Sequence, residues 1–314
     1  MMRITLRQMQ YFDAVMQTLH FRRAAELVGV TQPALSAQIA ELEQQLGARL
    51  FERGASAVRP TQEALHFHPK MERILSEVRD LEVAARRERS TLEGRLVLGV
   101  IPTIAPYLLP RILPLLRERF DGLELQVREA VTHVLVEETL AGRIDGFVAA
   151  EPLEHAGLTT QPLFEDPFLL ATPRQDAGLV GSPVSPDSPA LERLMLLEEG
   201  HCLRDQALAA CGQVKPVAMA SFGATSLTTL LQMVEHGMGV TLLPEIALPS
   251  MAGMAGIAVV PFSEPKPSRT ICLARRKKSG RARDFEALAN VLREGHRHIF
   301  RAAEAARSAT QATD

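Results

Sequence analysis

Apolar positions along the chain fall in three registers, each predicting a different kind of element. Near the N-terminus, Leu6, Met9, Phe12 and Val15 recur every three residues and give a first helix one buried stripe. Residues 20–27 read as a short second helix, with Ala24 and Ala25 permitting close packing. Gly29 supplies the left-handed conformation that ends it. Thr31 then caps a third helix with Pro33 in its first turn. Leu35, Ile39, Leu42 and Leu46, spaced by four and three, form that helix's apolar face. Helix, short helix, tight turn and capped helix is the helix-turn-helix arrangement. A small three-helix bundle that binds a protein partner is the competing reading.

The exposed residues of the third helix favour DNA. Thr31, Gln32, Ser36 and Gln38 are short or amide side chains near its N-terminus, where base edges and phosphates are met, with Pro33 and Ala34 among them. Arg22 and Arg23 on the second helix join this candidate surface. Arg53 and Arg59 flank Gly54 and Ser56, which predicts a wing against the DNA backbone.

In the second register, Ala64, Phe67, Met71, Ile74, Val78, Leu81 and Ala85 alternate by three and four. This narrow seam predicts a helix over 61–90 that pairs between chains, against the alternative of an amphipathic helix packed on its own domain. Pairing would hold two DNA heads at the spacing a two-fold symmetric site needs. Pro69 falls inside and is expected to cost a hydrogen bond or kink the helix. From Arg95 onward, short β-branched runs alternate with helical periodicity, the α/β pattern of a mainly parallel sheet flanked by helices. The tail from Arg307 is expected to fray.

Composition narrows the function classes. The 46% hydrophobic and 23% charged fractions exclude wholesale disorder, and 314 residues imply more than one domain. No apolar run reaches the roughly 20 residues of a membrane helix, and the N-terminus turns polar at Arg3 without a signal-peptide core. Three cysteines do not make a secreted disulfide framework, so the expected location is the cytoplasm, where resting thiols stay reduced. The net charge of −2 carries no global basic field, and a DNA partner must rest on the motif.

The motif has a family likeness. Residues 21–25 (FRRAA), 30–39 (VTQPALSAQI), Leu42-Glu43, Leu46-Gly47 and Leu50-Phe51-Glu52-Arg53 closely resemble the N-terminal signature of the LysR-type transcriptional regulators. The resemblance covers essentially the whole chain. It implies an α/β protein with a winged helix-turn-helix at 1–60, a linker and dimerisation helix at 61–90 and a regulatory domain at 91–306. That domain would comprise two α/β subdomains, about 91–165 plus 268–306 and about 166–267, like a type II periplasmic binding protein, followed by a flexible tail at 307–314. The implied assembly is a dimer of dimers on double-stranded promoter DNA, activating or repressing, with RNA polymerase as a further partner and no cofactor or metal. One departure is Glu63-Ala64, where the family usually has Ala-Gly; a glycine is the poorer helix former.

A second segment, residues 197–207 (LEEGHCLRDQA) followed by Cys211, resembles the branch of the family that senses hydrogen peroxide. Residues 99–103, 106–110, 224–227, 239–244 and 269–271 support the likeness. It implies that Cys202 is the peroxidatic thiol with His201 beside it, that Cys211 resolves it, and that Thr103, Thr132, Asp205 and Arg269 complete the pocket. Ser221 departs from this pattern, which commonly places a histidine there.

The chemistry is coherent. Hydrogen peroxide offers little surface for tight binding and must be recognised by reaction with a thiolate. If residues 203–210 are helical, Cys202 sits at the helix N-terminus, where N–H dipoles favour an anion. Hydroxyls and a guanidinium can orient peroxide and stabilise the departing oxygen. Were both cysteines on one helix, nine residues would separate them by about 13.5 Å, against the roughly 4.4–6.8 Å between Cα atoms that a disulfide needs. Oxidation to a sulfenic acid would then require local unwinding before capture. The alternatives are that Cys202 is a small buried hydrophobe, that the two cysteines are independent core residues, and that Thr132 is a helix cap.

Cys272, in an apolar run, reads as a buried strand thiol. His66 and His68, and His296 and His298, read as solvated helix faces, and residues 275–278 as an exposed turn. Two rival functions remain: a regulator sensing a small metabolite in the subdomain cleft, and a thiol peroxidase, which the N-terminal signature disfavours.

Overall fold

The computed structural model describes residues 4–53, 58–85, 91–210, 224–251 and 253–311. The chain forms two compact units, one of Met1–Glu88 with Leu140–Arg143, the other of Arg89–Thr139 with Ile144–Asp314.

In the first unit, α1 (Leu6–Thr18) opens with a capping box in which Gln8 N–H donates to Thr5 Oγ1 and Thr5 N–H to Gln8 Oε1. Helix α2 (Phe21–Leu27) ends before Gly29, whose φ of 69° is the left-handed conformation expected there. Helix α3 (Gln32–Leu46) is capped by Thr31, which accepts from Ala34 N–H at 3.4 Å. Leu35, Ile39 and Leu42 are fully buried against Phe12, Val15 and Ala24. Strands β1 (Phe51–Arg53) and β2 (Val58–Pro60) pair antiparallel as a wing; Gly54 and Ser56 lie outside the described residues.

Helix α4 (Gln62–Ala85) runs on through Pro69. Its seam divides: Ala64, Phe67 and Met71 pack into the helix-turn-helix core, whereas Ile74 and Leu81 stay exposed. His68 is not on a solvated face. Its Nε2 lies 2.9 Å from Asp13 Oδ1, and its ring stands edge-on to Phe12. Periodicity along α4 could not show that α1 would supply these partners.

The second unit contains β3 (Gly94–Val100), α5 (Ala105–Arg119), β4 (Leu123–Glu129), α6 (Thr132–Leu140), β5 (Gly146–Ala150), β6 (Leu158–Pro173), α7 (Ala177–Val180), α8 (Cys202–Ala210) and α9 (Leu227–Glu235). Strands β7 (Thr241–Pro244), β8 (Ile257–Pro261) and β9 (Ser268–Arg276) and helix α10 (Ala282–Gln311) complete it. The strand order is β4-β3-β5-β9-β6-β7, with β8 also paired to β6. Among the named strands of the described residues, β3–β4 and β3–β5 are parallel; the pairings of β9 with β5 and β6, and of β6 with β7 and β8, are antiparallel. The expected mainly parallel sheet is thus mixed. Strand β9, far along the chain, enters between β5 and β6 and runs antiparallel to both, which reverses the direction inside the sheet.

Strand β6 belongs to two packing environments. Up to Pro167 it pairs with β9, and from Phe168 it pairs with β7 and β8. Beyond that switch lies a core of Leu170, Leu191, Leu194, Leu230 and Leu243, to which Leu203 and Ala207 anchor α8. These two anchors are four residues apart and therefore share one helix face.

Helix α10 continues to Gln311, past Arg307, in an alanine-rich stretch of high helix propensity. Two further expectations are corrected. His296 stacks on Phe164 with centroids 3.6 Å apart, and burial lowers its pKa to about 4, so it is no solvated histidine. Arg275 and Arg276 end β9 half-buried, leaving only Lys277 and Lys278 as exposed turn residues.

Candidate functional site

The first unit presents Thr31, Gln32, Pro33 and Ala34 fully exposed at the start of α3, with Ser36 and Gln38 half-buried behind them. Gln38 Nε2 donates to Glu41 Oε2 at 3.1 Å, which holds the amide on the helix surface. Arg22, Arg23 and Arg59 are exposed, and Arg53 closes β1. A helix N-terminus edged by short polar and guanidinium groups suits phosphates and base edges.

Asp13, His68 and Glu72 place their ligand atoms within 4.8 Å of one another, a spacing able to hold a metal. The existing Asp13–His68 contact already gives the cluster an internal partner.

In the second unit, the ends of four strands meet at one edge. Ile101 N–H donates to Val148 O, Ala130 N–H to Val100 O, and Glu151 N–H to Thr270 O. The carboxyl ends of β3, β4 and β5 and the start of β9 are thereby brought together, the usual place for a ligand in an open α/β sheet. Thr103, Thr132 and Arg269 all belong to this edge.

Arg269 is fixed completely. Nε and Nη2 donate to Asp166 Oδ2 at 2.9 and 2.8 Å, Nη1 donates to Thr103 Oγ1 at 2.9 Å, and Nη2 reaches Thr103 O at 3.3 Å. Asp166 Oδ1 accepts Ile246 N–H at 2.9 Å, and the guanidinium lies over the Phe168 ring. The Arg269 and Asp166 side chains have no exposure. Tyr107 faces the same charges; burial raises its hydroxyl pKa, with Arg269 opposing that effect.

Thr132 is the first residue of α6 rather than its cap, and its Oγ1 is buried without a partner among the described residues. Nearby, Gly200 takes a φ of 92°, and a Cβ there would sit 3.4 Å from the His133 ring. Gly200 therefore lets the segment before α8 close over the start of α6. Gln206 Nε2 donates to Glu151 O at 3.5 Å, while its Oε1 is buried without a partner among the described residues.

Cys202 begins α8 half-buried, at the end of the helix whose dipole favours a thiolate. His201 is buried, and that burial lowers its pKa against the opposing pull of Glu198. That burial favours the neutral imidazole. Arg204 Nη1 donates to Leu197 O at 3.0 Å, bracing the segment. Asp205 is exposed. Cys211 and Ser221 lie outside the described residues. Cys272 is fully buried, and burial pushes its thiol up to about 12, with Glu151 and Cys202 adding to the effect.

Sequence reasoning missed Asp166, Tyr107 and Gln206. Asp166 had a faint signal, a carboxylate entering an otherwise apolar strand segment, but its opposition to Arg269 is set by the β6–β9 register. Gln206 lay within the quoted motif without a role of its own.

Residues 6–65 match the bacterial regulatory helix-turn-helix proteins of the lysR family, and residues 89–297 match the LysR substrate binding domain. A hydrogen peroxide-inducible genes activator of Pectobacterium carotovorum is 38% identical over 93% of this chain and 96% of its own. The DNA-binding transcriptional dual regulator OxyR of Escherichia coli is 38% identical over 93% and 97%. Among solved structures, a full-length OxyR variant from Pseudomonas aeruginosa is 34% identical with a TM-score of 0.79, covering 93% of this chain and 96% of its own. A Corynebacterium glutamicum OxyR mutant with hydrogen peroxide bound is 32% identical with a TM-score of 0.68, covering 97% and 96%. With both of its domains matched in order, the chain belongs to the LysR-type family of transcription regulators.

Proposed function

We propose that the chain is a peroxide-responsive, DNA-binding transcription regulator whose sensor is the Cys202 thiolate. The observation that carries this reading is the half-buried cysteine at the start of α8, the helix whose Gln206 donates to Glu151 O at the strand edge that holds the Thr103–Arg269 pair and the Thr132 hydroxyl, which has no partner among the described residues. Its relatives named as hydrogen peroxide-inducible activators support the same chemistry.

The thiolate attacks one peroxide oxygen; the S–O bond forms, the O–O bond breaks, and the released hydroxide takes a proton to become water. Sulfur is oxidised to a sulfenic acid and peroxide is reduced. Thr103, Thr132 and Arg269 orient the peroxide and stabilise the departing oxygen. Cys211 then displaces water from the sulfenic acid to form the disulfide. Helix α8 rises about 12 Å between residues 202 and 210, so closing that bond requires the helix to unwind. That refolding is the signal passed to the oligomer.

The acting form is a homo-oligomer, a dimer of dimers on promoter DNA in the cytoplasm, with RNA polymerase as a further partner. Exposed Ile74 and Leu81 on α4 support pairing between chains. A thiol peroxidase reading loses ground because both matched domains are those of a regulator.

The test compares promoter footprints of reduced and peroxide-treated protein, with mass spectrometry for a Cys202–Cys211 disulfide. The expected result is a shifted footprint that Cys202→Ser abolishes. A footprint unmoved by peroxide but moved by a small metabolite would establish the rival regulator instead.

A further inference from the structure

Arg269 has one carboxylate holding it and one hydroxyl beyond it, and the direction of these hydrogen bonds has a consequence. Because Nη1 donates to Thr103 Oγ1, the threonine oxygen acts as acceptor there and its own O–H proton points elsewhere. Among the described residues no acceptor receives that proton. Asp166 takes Nε and Nη2 of the same guanidinium through a single oxygen, Oδ2, and its other oxygen is held by Ile246 N–H. The carboxylate is thus clamped from both sides, and the guanidinium plane has one orientation.

We propose that Asp166 is a positioning residue for the peroxide reaction, acting through Arg269 to aim the Thr103 hydroxyl proton at the peroxide oxygen that leaves. The inference rests on the peroxide-sensing reading above. Asp166 touches no reactant. It also balances the guanidinium charge, so the pair contributes a directed hydrogen-bond donor rather than a net positive field. A donor aimed at developing negative charge in a buried site is worth about 100–1000-fold in rate. A misaligned one loses much of that.

The charge balance separates positioning from a merely structural role. Asp166→Asn loses the aim but leaves the Arg269 charge uncompensated, so the site gains positive charge instead of losing it. Two second-order rates are measured at Cys202 in the full chain at neutral pH: sulfenic acid formation with hydrogen peroxide, trapped by dimedone, and alkylation by iodoacetamide, which needs a thiolate but no proton donor. The expected result is a fall of about tenfold or more in the peroxide rate with alkylation unchanged or faster, and partial recovery in Asp166→Glu. Equal losses in both rates, or none in the peroxide rate, overturn the proposal. If Asp166→Asn fails to fold, Asp166→Glu carries the test, because it keeps Arg269 and its counter-charge but displaces the carboxylate that aims it. It is expected to show a peroxide rate below wild type with alkylation unchanged, and a wild-type peroxide rate in it overturns the proposal. A wild-type chain that does not oxidise at Cys202 refutes the sensor reading itself, whereas a fast wild type with an equally fast Asp166→Asn refutes only this inference.

Discussion

Removing one member of the Arg269–Asp166 pair should cost far more stability than removing both. Both side chains are at 0% exposure, so Arg269→Met strands a carboxylate with no water to solvate it. Breaking a buried pair in this way costs about 3–5 kcal/mol. For a unit of roughly 150–250 residues, each kcal/mol moves the melting temperature about 2–4 °C, so the shift is about 6–20 °C. The double variant Arg269→Met/Asp166→Leu leaves no charge behind. Its main debt is the Ile246 N–H that loses its acceptor, about 1–3 kcal/mol. Scanning calorimetry of the reduced full chain should therefore find the double variant more stable than either single variant. A double-variant loss equal to the sum of the singles would show that the two charges are solvated independently, and the buried-pair argument would fail. The Arg22–Glu26 pair is the internal control: its side chains are 74% and 65% exposed, and Glu26→Gln should move nothing measurable.

His296 predicts a pH dependence whose sign follows from its depressed pKa. The folded ring titrates near 4 and the unfolded one near 6.5, so its contribution is complete above 6.5 and is lost as the pH falls toward 4. With the ring only partly buried, the loss is about 1–2 kcal/mol after solvent screening. Urea denaturation of His296→Phe beside the wild type should remove that part of the slope, and identical slopes would refute it. Thr31→Ala removes the cap of α3 and should cost about 1 kcal/mol while weakening promoter binding in a gel-shift titration; unchanged thermal stability would show the 3.4 Å cap bond to be idle. Cys272, with its thiol near 12, should resist iodoacetamide in the folded chain at pH 8 and react only after denaturation, as peptide mapping would reveal.

Local order was legible along the chain wherever it depends on neighbours. The 4-3-4 spacing of Leu35, Ile39, Leu42 and Leu46 and the Thr31 cap define α3, because helix periodicity and capping act within a few residues. The same holds for Gly29 and for the apolar run around Cys272. The helix that starts at Cys202 was legible too, since a residue followed by a short helical run declares itself locally. Other features depended on groups distant in sequence. The mixed sheet followed from β9 entering antiparallel between β5 and β6, and the two roles of β6 from a change of partner at Phe168. His68 and His296 looked solvated because α4 and α10 alone cannot show Asp13 or Phe164 arriving from elsewhere. Asp166 and Arg269 are 103 residues apart, and no periodicity links them. Sequence determined the helix-turn-helix and the family, and singled out Cys202 as the candidate thiol, through short-range spacing and residue type. Tertiary structure alone decided which carboxylate holds Arg269 and that its guanidinium donates to the Thr103 hydroxyl oxygen, because strand register and burial are set by the packing of the whole unit.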